Sequence, residues 1–194
     1  MITILSGSPR KGSNTLKVAK AIRNILQEQE PNEEVNIIDY SGYDIPSASQ
    51  GSVDPNNLTQ WQSELFEYTS KARVVFVLTP EYNWFPSAEI IQTIHVMASR
   101  HFQSMWDNKI FATVGVSNGR GGRMPAVQLS YAINKIINVF NFESLVGAKM
   151  FESQFTDKAL DENGQSLGNA EYMNGLKAFV DFNMKLSARW HSVQ

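Results

Sequence analysis

Val74-Val75-Phe76-Val77-Leu78, running into Thr79-Pro80-Glu81-Tyr82-Asn83-Trp84-Phe85-Pro86, is the stretch that decides the fold. The unbroken apolar run predicts a strand buried on both faces, and such strands lie at the centre of parallel sheets. Outward from it, Ile110 to Val116 repeats the type, and Ile2 to Leu5, Val35 to Ile38 and Leu145 to Phe151 supply further strands. Residues of helical spacing fill the gaps: Leu16, Ala19, Ile22, Ile25 and Leu26, then about Leu58 to Ser70, then roughly Pro86 to Arg100. Leu129, Ile133, Ile136, Ile137 and Phe140 mark a further helix, and Tyr172, Leu176, Phe179, Leu186 and Trp190 a C-terminal one. This βαβα alternation predicts a three-layer α/β domain, a five-stranded parallel sheet with helices on both faces and right-handed crossovers. Residues 41 to 56, rich in Ser, Gly, Asp, Pro and Asn, form a loop long enough to suggest a function of its own. With no internal repeat and no linker, residues 1–194 are expected to form one domain.

Composition narrows the chemistry. The chain carries 17 basic and 19 acidic side chains, a formal net charge of −2, which argues against a dedicated nucleic-acid binder. It has no cysteine, which excludes disulfide scaffolds, thiol nucleophiles, thiolate zinc sites and iron–sulfur ligation. Any redox chemistry must come from a bound organic cofactor or a metal held by nitrogen and oxygen ligands. Val74 to Leu78 is far shorter than the roughly 20 apolar residues of a membrane span, and the first residues lack the basic start of a signal peptide. A cytoplasmic protein without membrane contact is expected. Asn57-Leu58-Thr59 matches a glycosylation acceptor, read here as a chance match.

In a parallel sheet, ligands bind beyond the carboxyl ends of the strands, so the loops there come first. Gly7-Ser8-Pro9-Arg10-Lys11-Gly12-Ser13-Asn14-Thr15 offers hydroxyls, a guanidinium and a helix N-terminus, a cradle for a phosphate dianion. Ser13-Asn14 stand where a nucleoside-triphosphate P-loop needs Lys-Ser/Thr, and there is no GxGxxG. A terminal phosphomonoester remains, alongside the plainer reading that Ser13, Asn14 and Thr15 only cap a helix. Thr79 to Pro86 is stiffened by two prolines and carries three aromatics, suited to a planar ligand, a partner subunit or local packing. Ser117-Asn118-Gly119-Arg120-Gly121-Gly122-Arg123 suggests close backbone approach to a ligand, or a flexible turn.

Together these three loops resemble the NADPH-dependent FMN reductase family of flavodoxin-like proteins, which includes quinone, azo-dye and chromate reductases. The markers are Gly7, Ser8, Arg10, Ser13, Asn14 and Thr15, the intact Pro-Glu-Tyr-Asn motif at Pro80 to Asn83, the glycine-rich Ser117 to Gly122, and Asp161-Glu162-Asn163-Gly164 before the last helix. The resemblance implies a flavodoxin-like fold in which Ser8, Arg10, Ser13, Asn14 and Thr15 hold the FMN phosphate. Pro80, Glu81, Tyr82, Asn83 and Trp84 would line the isoalloxazine, with Ser117, Asn118, Gly119, Gly121 and Gly122 approaching from the other side. The family usually continues from its motif with Pro-Gly-x-Leu-Lys-Asn and then an Asp. Trp84-Phe85-Pro86-Ser87-Ala88-Glu89-Ile90-Ile91-Gln92 departs from this, which bears on acceptor preference and oligomer geometry.

The implied activity passes hydride from NADPH or NADH through FMN to a small-molecule acceptor such as a flavin, quinone or azo compound, chemistry that belongs to the cofactor. Fittingly, the sequence shows no acid–base constellation: His95, His101 and His191 lack metal-ligand spacing, and Ser13 has no histidine partner of triad type. Backbone N–H groups near Asn83 and Gly119 to Gly122 are expected to stabilise negative charge on the ring, while Arg120 and Arg123 either attract the nicotinamide nucleotide or form a solvated rim. Trp84 and Phe85 suggest a second subunit over the site, hence a homodimer or homotetramer. The rivals are a flavodoxin-type electron carrier, which usually shows a strongly acidic face, and a flavin-free binding or scaffold protein.

Overall fold

The structure, a computed structural model, describes residues 1–192. Its strands are β1 (Ile2–Ser6), β2 (Val35–Asp39), β3 (Val74–Pro80), β4 (Ile110–Val116), β5 (Leu145–Val146) and β6 (Phe151–Ser153). The helices are α1 (Asn14–Gln29), α2 (Gln60–Lys71), α3 (Ala88–Met97), α4 (Arg123–Phe140), the short α5 (Thr156–Ala159) and α6 (Ala170–His191). All strand pairings are parallel, in the order β2-β1-β3-β4-β5, with β6 also on β4. This is the flavodoxin-like doubly wound order, and it reverses direction between β1 and β3.

Every residue of β3 and β4 is buried because alternate side chains feed two separate cores. Val74, Phe76 and Leu78 pack with α1 and α6, while Val75 and Val77 pack with α2, α3 and α4. The helices therefore cover both faces, and the apolar runs record that double burial. Ser13 starts α1 by accepting the Leu16 N–H at 3.1 Å, and Thr59 with Gln62 closes a reciprocal capping box at α2.

Two expected elements differ. The fifth strand, read as continuous from Leu145 to Phe151, is two short strands. Phe111 pairs with Val146 and Val114 with Phe151, so a step of three residues along β4 meets a step of five on its neighbour. The surplus bulges where α6 comes close: a Cβ on Gly147 would lie 2.1 Å from Asn183 Oδ1. The helix expected over 86–100 stops at Met97, whose carbonyl accepts the Trp106 indole N–H at 3.0 Å. A 3₁₀ segment, Arg100–Met105, follows and buries Phe102 and Met105. The 41–56 loop is tied to α3 by the Ala48 N–H on Gln92 Oε1 at 2.7 Å.

Candidate functional site

A cavity of about 450 Å³ opens at the carboxyl edge of the sheet, where the strand order reverses. The three loops singled out from sequence meet there. Ser8, Arg10, Ser13, Asn14 and Thr15 form one wall, Pro80, Glu81 and Tyr82 a second, and Ser117, Asn118 and Gly119 a third. Lys11 and Gly12, within the same loop, and Val116, at the end of β4, also line it without having been singled out individually from sequence.

The first wall is rich in unused donors. Thr15 is 1% exposed, and its Oγ1 has no hydrogen-bond partner among the described residues. The first bonds within α1 are made by the Leu16 and Lys17 N–H groups, leaving the N–H groups of Asn14 and Thr15 without an acceptor among the described residues. Ser13 is thus both a helix cap and part of the cavity wall. The Asn14 amide donates to Asn118 Oδ1, linking the first and third walls. Arg10 lays its guanidinium over the Tyr82 ring, 4.8 Å from the centroid.

The second wall is a tight hairpin. The Tyr82 N–H donates to the Phe85 carbonyl and the Phe85 N–H to the Tyr82 carbonyl, both at 3.0 Å. Asn83 (φ 51°) and Trp84 (φ 72°) between them occupy the left-handed region, as a primed turn requires. Asparagine tolerates this conformation, whereas tryptophan adopts it under strain. Trp84 is 69% and Phe85 62% exposed, so Trp84 projects from the hairpin tip. The residues that line the cavity from this hairpin are Pro80, Glu81 and Tyr82, while Asn83 and Trp84 form its tip. Ser87, which sequence reading passed over, anchors the hairpin: its hydroxyl donates to the Gly7 carbonyl at 2.5 Å, and its N–H to Thr79 Oγ1 at 2.9 Å. A serine directly before a helical run was the available signal.

The third wall rests on glycine. A Cβ on Gly115 would stand 1.8 Å from the Gly122 carbonyl oxygen, so β4 and the start of α4 touch through bare backbone. Gly121 and Gly122 close the loop, Gly122 against Gly115 and Gly121 against the Glu81 carboxylate. Behind it, Ser153 Oγ shares hydrogen bonds of 2.6 Å with Thr156 Oγ1 and the Tyr172 hydroxyl, and Thr156 Oγ1 donates to the Ser117 carbonyl at 3.1 Å. Burial pushes the Tyr172 phenol up to about 12, so it stays neutral. Arg123 pairs with Glu152 at 2.6 Å, whereas Arg120 has no partner among the described residues. The two arginines are therefore not equivalent.

A wider depression of about 630 Å³ lies at the opposite edge of the sheet, around Lys109 and His191. Its two most buried cations are occupied within the fold. Lys109 Nζ donates to the Ser70 and Ala72 carbonyls at 3.1 and 2.9 Å, and Arg73 pairs with Glu33 at 2.9 Å. Among the described residues no cluster of three or more acidic or histidine side chains can hold a metal ion, and no helix is long and apolar enough to cross a membrane.

No curated protein matches the sequence. Among solved structures, FerB, a flavoenzyme NAD(P)H:(acceptor) oxidoreductase from Paracoccus denitrificans, superposes with a TM-score of 0.71 at 20% identity, covering 95% of this chain and 97% of its own. An NADH:FMN oxidoreductase (EMOB) in its apo form gives 0.62 at 15% identity over 92% and 87% of the two chains. A flavodoxin from the domain Archaea gives 0.56 at 13% identity over 96% and 99%. At these identities the likeness establishes the flavodoxin-like fold alone. The sequence itself goes further: residues 1–150 match the family model described as NADPH-dependent FMN reductase, and the chain belongs to that family.

Proposed function

We propose that this chain binds FMN in the carboxyl-edge cavity and passes hydride from NADPH or NADH to a flavin, quinone or azo-type acceptor. The observation that carries the reading is the unpartnered, buried Thr15 hydroxyl beside the free N–H groups of α1. A buried hydroxyl without a partner costs about 1–3 kcal/mol, and a phosphate dianion is the acceptor that would satisfy it. The donor set suits the group: hydroxyls from Ser8, Ser13 and Thr15, the Asn14 amide and the start of a 16-residue helix all favour negative charge. FMN, when bound, supplies the hydride-accepting ring, and the protein supplies position and electrostatics.

Each wall then has a distinct task. Ser8, Arg10, Ser13, Asn14 and Thr15 hold the phosphate, Arg10 leaving its stacked position over Tyr82 to do so. Pro80, Glu81 and Tyr82 flank the ring on one side, and the backbone of Ser117 to Gly119 on the other. Asn83 and Trp84 act from the hairpin tip, and Gly121 and Gly122 from behind the loop. Arg120, being unpaired, remains free for the phosphates of the nicotinamide nucleotide. Trp84 and Phe85 are exposed on the hairpin, and Met124, Val127 and Tyr131 present an exposed apolar surface along α4. That surface suits a second copy of the chain, in a homodimer or homotetramer. Residues 1–194 act as one domain in the cytoplasm.

Steady-state oxidation of NADPH and NADH by the FMN-loaded protein, with menadione or free FMN as acceptor, tests the reading. Rapid turnover supports a reductase. Slow oxidation with every acceptor would turn the assignment to an electron carrier, and failure to take up FMN to a flavin-free binding protein.

A further inference from the structure

Glu81 grips the glycine-rich loop at both ends. Its backbone N–H donates to the Val116 carbonyl at 2.8 Å, where β4 enters the loop. Its carboxylate accepts the Gly122 N–H, where the loop passes into α4. The N-cap of this 18-residue helix is glycine, with no side chain to cap the helix itself. A carboxylate from the neighbouring hairpin takes that place, a favourable position for negative charge. The fit is close: a Cβ on Gly121 would lie 2.7 Å from both carboxylate oxygens.

We infer that Glu81 is a positioning residue that fixes the 117–122 loop against the hairpin and so sets the width of the cleft between the second and third walls. Toward the cofactor, this rests on the proposed FMN site. The clamp itself is a property of the chain alone. Only glycine at 121 leaves the carboxylate room, so the two positions act as one unit.

The test is a double-mutant cycle on Glu81→Ala and Gly121→Ala, with Glu81→Gln as the conservative control, measured by FMN titration and by amide exchange of the FMN-free protein. Each alanine variant should raise the FMN dissociation constant about tenfold or more, from loss of a charged hydrogen bond. Together they should do no more than Glu81→Ala alone, because the added methyl then has no carboxylate to displace. Glu81→Gln keeps an acceptor for the Gly122 N–H and should stay within about threefold of the parent. Exchange at the Gly122 amide should quicken about tenfold or more in Glu81→Ala and little in Glu81→Gln. Additive losses, or a glutamine variant as impaired as the alanine one, would overturn the inference. Should the parent protein not take up FMN, the functional reading fails, and amide exchange alone decides the clamp: unchanged protection at Gly122 in Glu81→Ala refutes it.

Discussion

Thr15→Val should move stability and flavin affinity in opposite directions. The threonine hydroxyl is 1% exposed with no partner among the described residues, so the FMN-free protein carries the cost of an unsatisfied polar atom. Valine has the same shape without that group, and at a helix position it differs little in propensity from threonine. Removing the hydroxyl should therefore stabilise the FMN-free protein by about 1–2 kcal/mol. For a chain of this size, that is a rise of about 2–8 °C in the unfolding midpoint. If the hydroxyl donates to the FMN phosphate, its loss removes a charge-assisted hydrogen bond of about 1.5–3 kcal/mol, weakening FMN binding about 10- to 150-fold. Scanning calorimetry of flavin-stripped protein and FMN titration by fluorescence quenching read the two effects separately. A variant no more stable than the parent, binding FMN within about threefold of it, would refute the assignment of Thr15.

Three further changes follow from the same geometry. Arg10→Glu should weaken FMN binding about tenfold or more and flatten its dependence on salt; unchanged retention would remove Arg10 from the phosphate site. Trp84→Gly places Asn-Gly, the sequence best suited to a primed turn, at the hairpin tip. It should stabilise the flavin-free protein by about 1 kcal/mol in urea unfolding at low protein concentration, while a loss of that size would contradict the strain at φ 72°. Burial holds the Lys109 amine down, at about 8 against its ordinary value near 10.5. The unfolded chain then binds the proton more tightly, so the contribution of Lys109 to stability grows as pH rises through 8 and is complete only above about 10.5. Relative to Lys109→Met, the parent should gain ~1.4 kcal/mol between pH 7 and 9, as followed by urea unfolding; a flat difference would show that Lys109 does not titrate there.

The parts of the fold legible from sequence were those governed by burial and by single-residue chemistry. Val74 to Leu78 and Ile110 to Val116 read as central strands because both of their faces are covered. The first wall of the cavity was legible because hydroxyl, amide and guanidinium groups crowd a strand-to-helix turn. What sequence left open depends on contacts between distant segments. The break between Val146 and Phe151 follows from α6 approaching Gly147, a closeness no local pattern encodes. Arg120 and Arg123 are indistinguishable until Glu152 is found beside one of them. Glu81 reads as a ring-lining residue in the Pro-Glu-Tyr-Asn motif, yet its carboxylate serves the start of a helix 41 residues away in sequence. Trp84 and Phe85 read from sequence as suited to a planar ligand, a partner subunit or local packing, and in the fold both are exposed at the hairpin.

The central claim is that this cavity holds FMN and that a nicotinamide nucleotide reduces it there. The most direct measurement is an absorbance titration of the FMN-reconstituted protein with NADPH, then NADH, in the absence of oxygen. The flavin band near its ordinary visible wavelengths should bleach with one equivalent of nucleotide and return when menadione is added. A protein that takes up no FMN, or whose flavin band is unchanged by excess of either nucleotide, would contradict the claim.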